Sequence, residues 1–246
     1  VKSSIGKGLM VLVGVEHGDT LDDVKWLVGK TVALRIFDDE NDFEADYKGE
    51  MLRYYSNIVG KYSNMVQKAF AKLQGVEIKM IAPSHGLIWR GNPSRVLELY
   101  SKWCNWESED GVVIVYASMY GNTAQMADHI GHLLGSRGIR VKTYDVSKTH
   151  VSYILSDIWR YKGVILGTCA YNTQMHPMME HLCNEIKLIA PKNKILSIFG
   201  SSTWNGAGVK SLVNYAHELG MEPACEPFEI MGSAGIEKIE AKAEDF

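Results

Sequence analysis

Short apolar runs alternate with helix-period segments along the C-terminal half of the chain. Residues 112–116, 163–167 and 195–200 are almost entirely apolar, and each run ends in small polar residues. After each run, apolar residues recur every three or four positions, as on the buried face of an amphipathic helix. Apolar runs of this length are typical of strands buried on both faces of a parallel sheet. With further strands at 140–144 and 224–230, the pattern predicts a five-stranded, doubly wound α/β domain.

The first connection between strand and helix combines hydroxyl groups, an amide and glycine. It consists of Ser118, Met119, Tyr120, Gly121, Asn122 and Thr123. A strand that passes directly into a helix presents backbone N–H groups at the helix N-terminus, where phosphate is favoured. The connection contains no Lys or Arg, so backbone dipoles and hydroxyls would bind the anion. An ordinary turn capped by Thr123 explains the same residues equally well.

Two further strand ends carry similar chemistry. The second connection consists of Thr168, Cys169, Ala170, Tyr171 and Asn172. The third consists of Ser201, Ser202, Thr203, Trp204, Asn205 and Gly206. Ligands of open parallel sheets bind outside the carboxyl ends of the strands. Tyr171 or Trp204 alone would indicate a packed surface aromatic, but the three strand ends together predict a phosphate cradle beside a flat ring.

These connections and their strands resemble one protein family. Residues 111–246 are similar to the flavodoxin-like domain of flavo-diiron proteins, also called A-type flavoproteins, through residues 116–123, 166–172 and 199–206. The resemblance implies FMN as the cofactor. It implies that the phosphate is held by Ser118, Tyr120, Asn122 and Thr123. It also implies that the second and third connections flank the isoalloxazine, with their large aromatic residues nearest its faces.

A middle segment, residues 41–106, differs in composition from the rest. Apolar residues at helical spacing predict a long helix over 47–73. Its predicted apolar stripe consists of Met51, Tyr55, Ile58, Tyr62 and Met65. A strand over 76–82 and a helix over 94–103 are predicted to follow, so this segment forms an incomplete α+β fragment before the sheet domain.

One histidine of the middle segment matches a metal ligand of the same family. Residues 53–62 and 80–90 resemble the end of its metallo-β-lactamase-like domain, and His85 matches the last histidine of the non-haem diiron site. A diiron centre needs several carboxylates and imidazoles. The family's His-x-Glu-x-Asp-His run is missing from this sequence. The parent family holds two irons, but we expect no complete diiron site in this chain.

The first 40 residues resemble a fragment of a different fold. Residues 6–9, 14–20 and 34–39 are similar to D-aminoacyl-tRNA deacylase, whose Ser-Gln-x-Thr run and C-terminal Gly-Pro pair are missing. The alternative functions are therefore a deacylase-like hydrolase and an inactive truncated fusion remnant. The joining of two such fragments leaves apolar faces without their usual partners. The chain is then either a truncated or misjoined gene product, or a protein in which the fragments pack into a small novel cap beside the flavodoxin-like domain. We expect residues 1–110 to be less stable than the rest, which hydrogen exchange measures.

Composition and charge narrow the function. The 246 residues carry a net charge of −3 and no apolar run long enough to span a membrane, which argues against nucleic acid and membrane partners. Four scattered cysteines favour a reducing, cytoplasmic setting. The resemblance implies an oxidoreductase-type flavoprotein that exchanges electrons with a redox protein, rubredoxin-like or NADH-linked, and a head-to-tail homodimer. We predict an FMN-binding electron-transfer module of flavo-diiron type that does not itself reduce oxygen or nitric oxide.

Overall fold

The computed structural model describes residues 20–22, 25, 47–233, 235–244 and 246. The chain divides into two compact units, Val1–Asp39 and Glu40–Phe246. Most of the first unit lies outside the described residues, and the predictions for residues 1–40 therefore lie outside them as well. The second unit contains the middle segment and the sheet domain, which are described below.

A long irregular helix begins the described part of the second unit. It consists of α1 (Lys48–Tyr54), a π-helical turn (Tyr55–Val59), a 3₁₀ turn (Gly60–Tyr62) and α2 (Ser63–Lys72). The helix predicted over 47–73 is thus present, but its hydrogen bonding changes in the middle. Helix α3 (Pro93–Cys104) follows, with proline in its first turn, where the missing N–H costs nothing.

The predicted apolar stripe of this helix is correct up to the π-helical turn and wrong after it. Tyr55 is fully buried, but Ile58, Tyr62 and Met65 are exposed. A π-turn adds one residue and so rotates every later position around the helix axis. Small residues therefore face the interior after the turn, and the buried set there is Ser56, Gly60 and Ser63.

The strand predicted over 76–82 is also wrong. The chain makes a single antiparallel bridge there, in which Ile81 and Trp89 exchange two backbone hydrogen bonds of 3.0 and 2.8 Å. Gly86, at a φ of +97°, turns the chain back between them. A strand needs a neighbour to satisfy its backbone groups, and within the described residues this segment pairs only with its own return.

The predicted doubly wound sheet is confirmed. The strands are β1 (Glu109–Tyr116), β2 (Val141–Asp145), β3 (Tyr161–Tyr171), β4 (Gln174–Met175), β5 (Ile195–Ser202) and β6 (Phe228–Met231). Five of them run parallel in the order β2-β1-β3-β5-β6, and the short β4 pairs antiparallel with the end of β3. The order reverses beside β1, so the chain winds outward in both directions from the centre.

Helices cover both faces of this sheet. They are α4 (Asn122–Ser136), α5 (Val151–Arg160), α6 (Pro177–Ile189), α7 (Ala207–Glu218) and α8 (Ile236–Ala243). Alternate strand residues point to opposite faces. Val113, Val115 and Leu166 pack in the core with α5, α6 and α7, whereas Ile114, Ile165 and Phe199 pack with α4 and α8.

The middle segment shares the core on the α5 side of the sheet. Tyr55 lies 5.7 Å from Trp159 of α5 and 5.4 Å from Trp103 of α3, measured between ring centroids. A Cβ atom on Gly60 would stand 2.8 Å from the Trp159 ring, so only glycine allows this close approach. Part of the middle segment thus has partners for its apolar residues in the sheet domain, whereas Ile58, Tyr62 and Met65 remain exposed, as expected of a fragment.

A partly buried lysine joins α5, β3 and the residue before β1 at the amino-terminal edge of the sheet. The Lys194 ammonium donates to the Ser108 hydroxyl at 2.7 Å and to the carbonyls of Trp159 and Tyr161 at 2.8 Å each. Burial lowers the pKa of Lys194 to about 7, and the nearby Lys162 acts in the same direction. These three oxygens give each of the three N–H bonds of the charged Lys194 ammonium an acceptor.

Lys194 should make stability depend on pH. Its pKa is about 7 in the fold, against an ordinary 10.5, so between these values the unfolded chain binds the proton and the folded chain does not. The free energy of unfolding should therefore rise with pH across this window. We expect Lys194→Met to remove that rise in urea unfolding at several pH values. The exposed control Lys210→Met should keep it, and equal slopes for both variants would contradict the assignment.

Candidate functional site

The first connection is a tight turn that ends in the N-terminus of α4. Gly121 adopts a φ of +92°, a conformation that glycine accepts readily, and its N–H donates to the Ser118 hydroxyl at 3.1 Å. No side chain of the described residues caps the first turn of α4. Met119 and Tyr120 are exposed, whereas Thr123 is fully buried. The turn thus presents backbone N–H groups of the helix to a ligand, as phosphate binding requires.

The second connection is a hairpin. Thr168 to Tyr171 continue β3, and Ala170 and Tyr171 pair with Met175 and Gln174 of β4. Asn172 and Thr173 form the two-residue turn with φ values of +44° and +62°. Positive φ at both positions is typical of a type I′ turn, which suits the twist of the strands. The hairpin holds Tyr171 at the edge of the sheet, partly exposed.

Thr173 carries a β-branched side chain at a backbone angle that disfavours it. We expect Thr173→Gly to stabilise the protein by about 0.5–1 kcal/mol, since glycine relieves the left-handed conformation at a smaller cost in chain entropy. Thermal unfolding of the two proteins measures this. An exposed Thr→Gly change normally weakens a strand end, so a loss of stability would show that the turn is not strained.

The third connection extends from the end of β5 into α7. Ser201 and Ser202 still belong to β5 and are buried, and Thr203, Asn205 and Gly206 are exposed. Trp204 exposes 80 % of its surface. A large aromatic side chain that stays in water has no packing role in the fold of the second unit, so it is free to contact a ligand.

Direct contacts join the three connections to one another. The Ala117 N–H donates to the Gly167 carbonyl at 2.9 Å, and the Cys169 N–H donates to the Ala117 carbonyl at 3.2 Å. The hydroxyls of Thr123 and Ser201 lie 2.8 Å apart. A Cβ atom on Gly208 would stand 3.0 Å from the Ala170 backbone, so α7 begins directly against the second connection.

Burial affects the pKa of two titratable groups at the second connection. Burial raises the pKa of the Cys169 thiol. Burial also lowers the pKa of His176, whose Nδ1 accepts from the Met178 N–H at 3.2 Å. The His176 N–H in turn donates to the Thr168 hydroxyl at 3.0 Å. These contacts fix the second connection without placing a charge beside the predicted ring position.

His85 lies in a different place. It borders a cavity of about 700 Å³ between α1, α3 and the Ile81–Trp89 bridge, and its ring centroid is 5.5 Å from that of Tyr54. Across the described ranges, no three His, Cys, Asp or Glu side chains are arranged to hold a metal ion. The described residues therefore do not fit a diiron centre.

The sheet, its strand order and the three joined connections agree with a family comparison. The flavodoxin family model matches residues 114–245, more than half of the chain. The chain belongs to the flavodoxin family. This flavodoxin chain also matches, over residues 1–57, the model described as D-Tyr-tRNA(Tyr) deacylase.

Curated relatives extend the likeness beyond the flavodoxin domain. The anaerobic nitric oxide reductase flavorubredoxin of Escherichia coli O1:K1 / APEC is 36 % identical over 191 residues, which cover 76 % of this chain and 40 % of the relative. The flavorubredoxin of Vibrio vulnificus strain YJ016 is 37 % identical over 197 residues, with 77 % and 39 % covered. The flavodoxin chain thus spans about two fifths of the length of these relatives.

Solved structures show the same relationship. Rubredoxin oxygen:oxidoreductase from Desulfovibrio gigas superposes with a TM-score of 0.75 at 29 % identity and covers 80 % of this chain, which spans 51 % of that one. A flavoprotein from Thermotoga maritima gives 0.76 at 28 % identity, with 85 % and 54 % covered. The predicted resemblance to flavo-diiron proteins is confirmed for the C-terminal part of the chain.

Several residues that shape the site were missed by the sequence analysis. Ala117 joins the first two connections through its backbone, which no side-chain pattern reveals. His176 caps α6, and its backbone N–H also donates to the Thr168 hydroxyl. Glu229 of β6 lies under the third connection, and nothing in the local sequence indicated this position.

Proposed function

We propose that this chain binds one FMN at the carboxyl ends of β1, β3 and β5 and serves as an electron-transfer module of flavo-diiron type. The contact between the Thr123 and Ser201 hydroxyls is the main support for this proposal, because it joins the first connection, on the phosphate side, to the third connection, on the ring side. The first connection offers backbone N–H groups to a phosphate, and the third offers an exposed aromatic side chain to a flat ring. FMN has both.

Each connection has a distinct role in this proposal. The backbone N–H groups at the start of α4, with Ser118, Tyr120, Asn122 and Thr123, would hold the phosphate without a cation. The hairpin would place the Thr168–Asn172 backbone beside one edge of the ring. Tyr171 and Trp204 would cover its faces and exclude water. The flavin would supply the redox chemistry, and the protein would supply binding and orientation.

The partners follow from the relatives and are likewise proposals. The Desulfovibrio gigas relative carries rubredoxin in its name, and we propose a rubredoxin-like or NADH-linked redox protein as donor or acceptor for this chain. All four cysteines carry free thiols, which supports a reducing, cytoplasmic setting. No helix within the described residues has the length and apolarity to cross a membrane. A head-to-tail homodimer remains a prediction of the resemblance.

We restrict the proposal to electron transfer. The flavorubredoxins are named as nitric oxide reductases, but this chain spans only about 40 % of their length. The assignment of residues 41–106 to a metallo-β-lactamase-like fragment, and of residues 1–40 to a deacylase-like one, remains part of the proposal. Neither fragment is proposed to be catalytic in this chain.

Titration with two flavins tests the proposed function. Quenching of flavin fluorescence should show one FMN bound per chain. Riboflavin lacks the phosphate and should bind at least about tenfold more weakly, because each charge-assisted hydrogen bond contributes about 1.5–3 kcal/mol. A protein that binds neither flavin, or both equally well, would contradict the proposal.

A further inference from the structure

Glu229 is a partly buried acidic side chain directly beneath the third connection. It lies on β6, where its Cα is in register with Gly200 of β5. A Cβ atom on Gly206 would overlap the Glu229 Oε2 atom, so the carboxylate touches the backbone of the connection.

The surroundings of Glu229 do not compensate a negative charge. Its Oε1 atom is buried and has no hydrogen-bond partner within the described residues. Burial raises the pKa of Glu229, and the Ser202 side chain opposes this rise. A carboxylate with one buried, unpartnered oxygen is costly in its charged form.

No cation faces this carboxylate from the elements packed against it. Strand β5 contains no charged residue, and on β6 the only one is Glu229 itself. Helix α7 carries Lys210, His217 and Glu218, and all three are exposed. The charge state of Glu229 therefore depends mainly on how much water reaches it.

We propose that Glu229 is a proton-linked positioning residue of the flavin site, and this rests on the proposed function. A flat ring laid against the third connection removes water from the carboxylate beneath it. The carboxylate then takes a proton from solvent and becomes a neutral carboxylic acid. No electron or covalent bond is involved in this step. Binding of the ring and binding of the proton therefore favour each other.

The pH dependence of FMN affinity tests this linkage. FMN dissociation constants should be measured from pH 5 to pH 8 for the wild type, Glu229→Gln and the exposed control Glu226→Gln. Glutamine imitates the neutral acid, so Glu229→Gln should bind as the wild type does at low pH and more tightly at high pH. The gap between the two curves should widen by up to about tenfold per pH unit, the limit for one linked proton. Protonation of the FMN phosphate changes the affinity of each variant for FMN in the same way, so it does not alter the gap between their curves.

A second measurement detects the proton itself. Calorimetric titration with FMN in two buffers of different ionisation enthalpy should show proton uptake that Glu229→Gln reduces and Glu226→Gln leaves unchanged. Parallel affinity curves, equal proton uptake in wild type and Glu229→Gln, or loss of FMN binding in Glu229→Gln would overturn the inference. A wild type that binds no FMN would overturn the proposed function as well, whereas FMN binding without the linkage overturns the inference alone.

Discussion

Replacement of Gly121 by valine should abolish FMN binding. Gly121 has a φ of +92° immediately before α4, and a β-branched residue does not adopt this angle without strain. The turn would reorganise and withdraw the N–H groups that are proposed to hold the phosphate. We expect the affinity to fall at least about 100-fold, or roughly 2.7 kcal/mol. Fluorescence titration with FMN measures the change.

A second glycine of the same helix provides a matched control. Gly138 follows the C-terminal end of α4 with a φ of +80° and has no neighbour within 4 Å of its Cβ position. Gly138→Val therefore introduces a comparable backbone strain far from the site. It should lower the melting temperature about as much as Gly121→Val but leave FMN affinity unchanged. If both variants lose FMN equally, global destabilisation and not the turn would explain the loss.

Among these substitutions, Trp159→Ala should cause the largest decrease in the free energy of unfolding. This side chain of α5 is 1 % exposed and packs against Tyr55 and Gly60 of the middle segment. Trp159→Ala removes a buried indole and leaves a cavity, which typically costs about 3–5 kcal/mol. Urea unfolding followed by circular dichroism measures the free energy of unfolding.

Replacement of Trp204 by alanine should have the opposite outcome, a loss of FMN binding with little change in stability. It is 80 % exposed, so Trp204→Ala should change the free energy of unfolding by less than about 0.5 kcal/mol. It should nevertheless weaken FMN binding about tenfold, since an aromatic contact contributes about 0.5–1.5 kcal/mol. The two tryptophans thus separate stability from binding. A stability loss in Trp204→Ala without any loss of affinity would contradict the role given to the third connection.

The sheet and its three connections were predictable because their signals are local. An apolar strand followed by Gly121-Asn122-Thr123 and a helical period specifies its own structure within about 20 residues. Parallel strands bring their carboxyl ends to one edge, so separate segments of the chain could be assigned to one site.

Features that depend on tertiary partners could not be predicted. The π-helical turn places Gly60 against Trp159, about 100 positions later in the sequence, and local periodicity contains no sign of it. The segment around Ile81 has strand-like composition but, among the described residues, finds no neighbouring strand. The hairpin turn at Asn172 and Thr173 was missed because Thr173 is an uncommon residue for that conformation. Glu229 has an ordinary strand context, and only the close approach of Gly206 reveals its burial.

Mapping the FMN contacts on the backbone tests the central claim most directly. Amide signals of the isotope-labelled chain should be followed by NMR during titration with FMN. We predict shifts concentrated in residues 118–123, 168–172 and 201–206, with saturation at one FMN per chain. Shifts confined to one connection, or concentrated around the cavity that His85 borders, would contradict a single flavin site at the three strand ends.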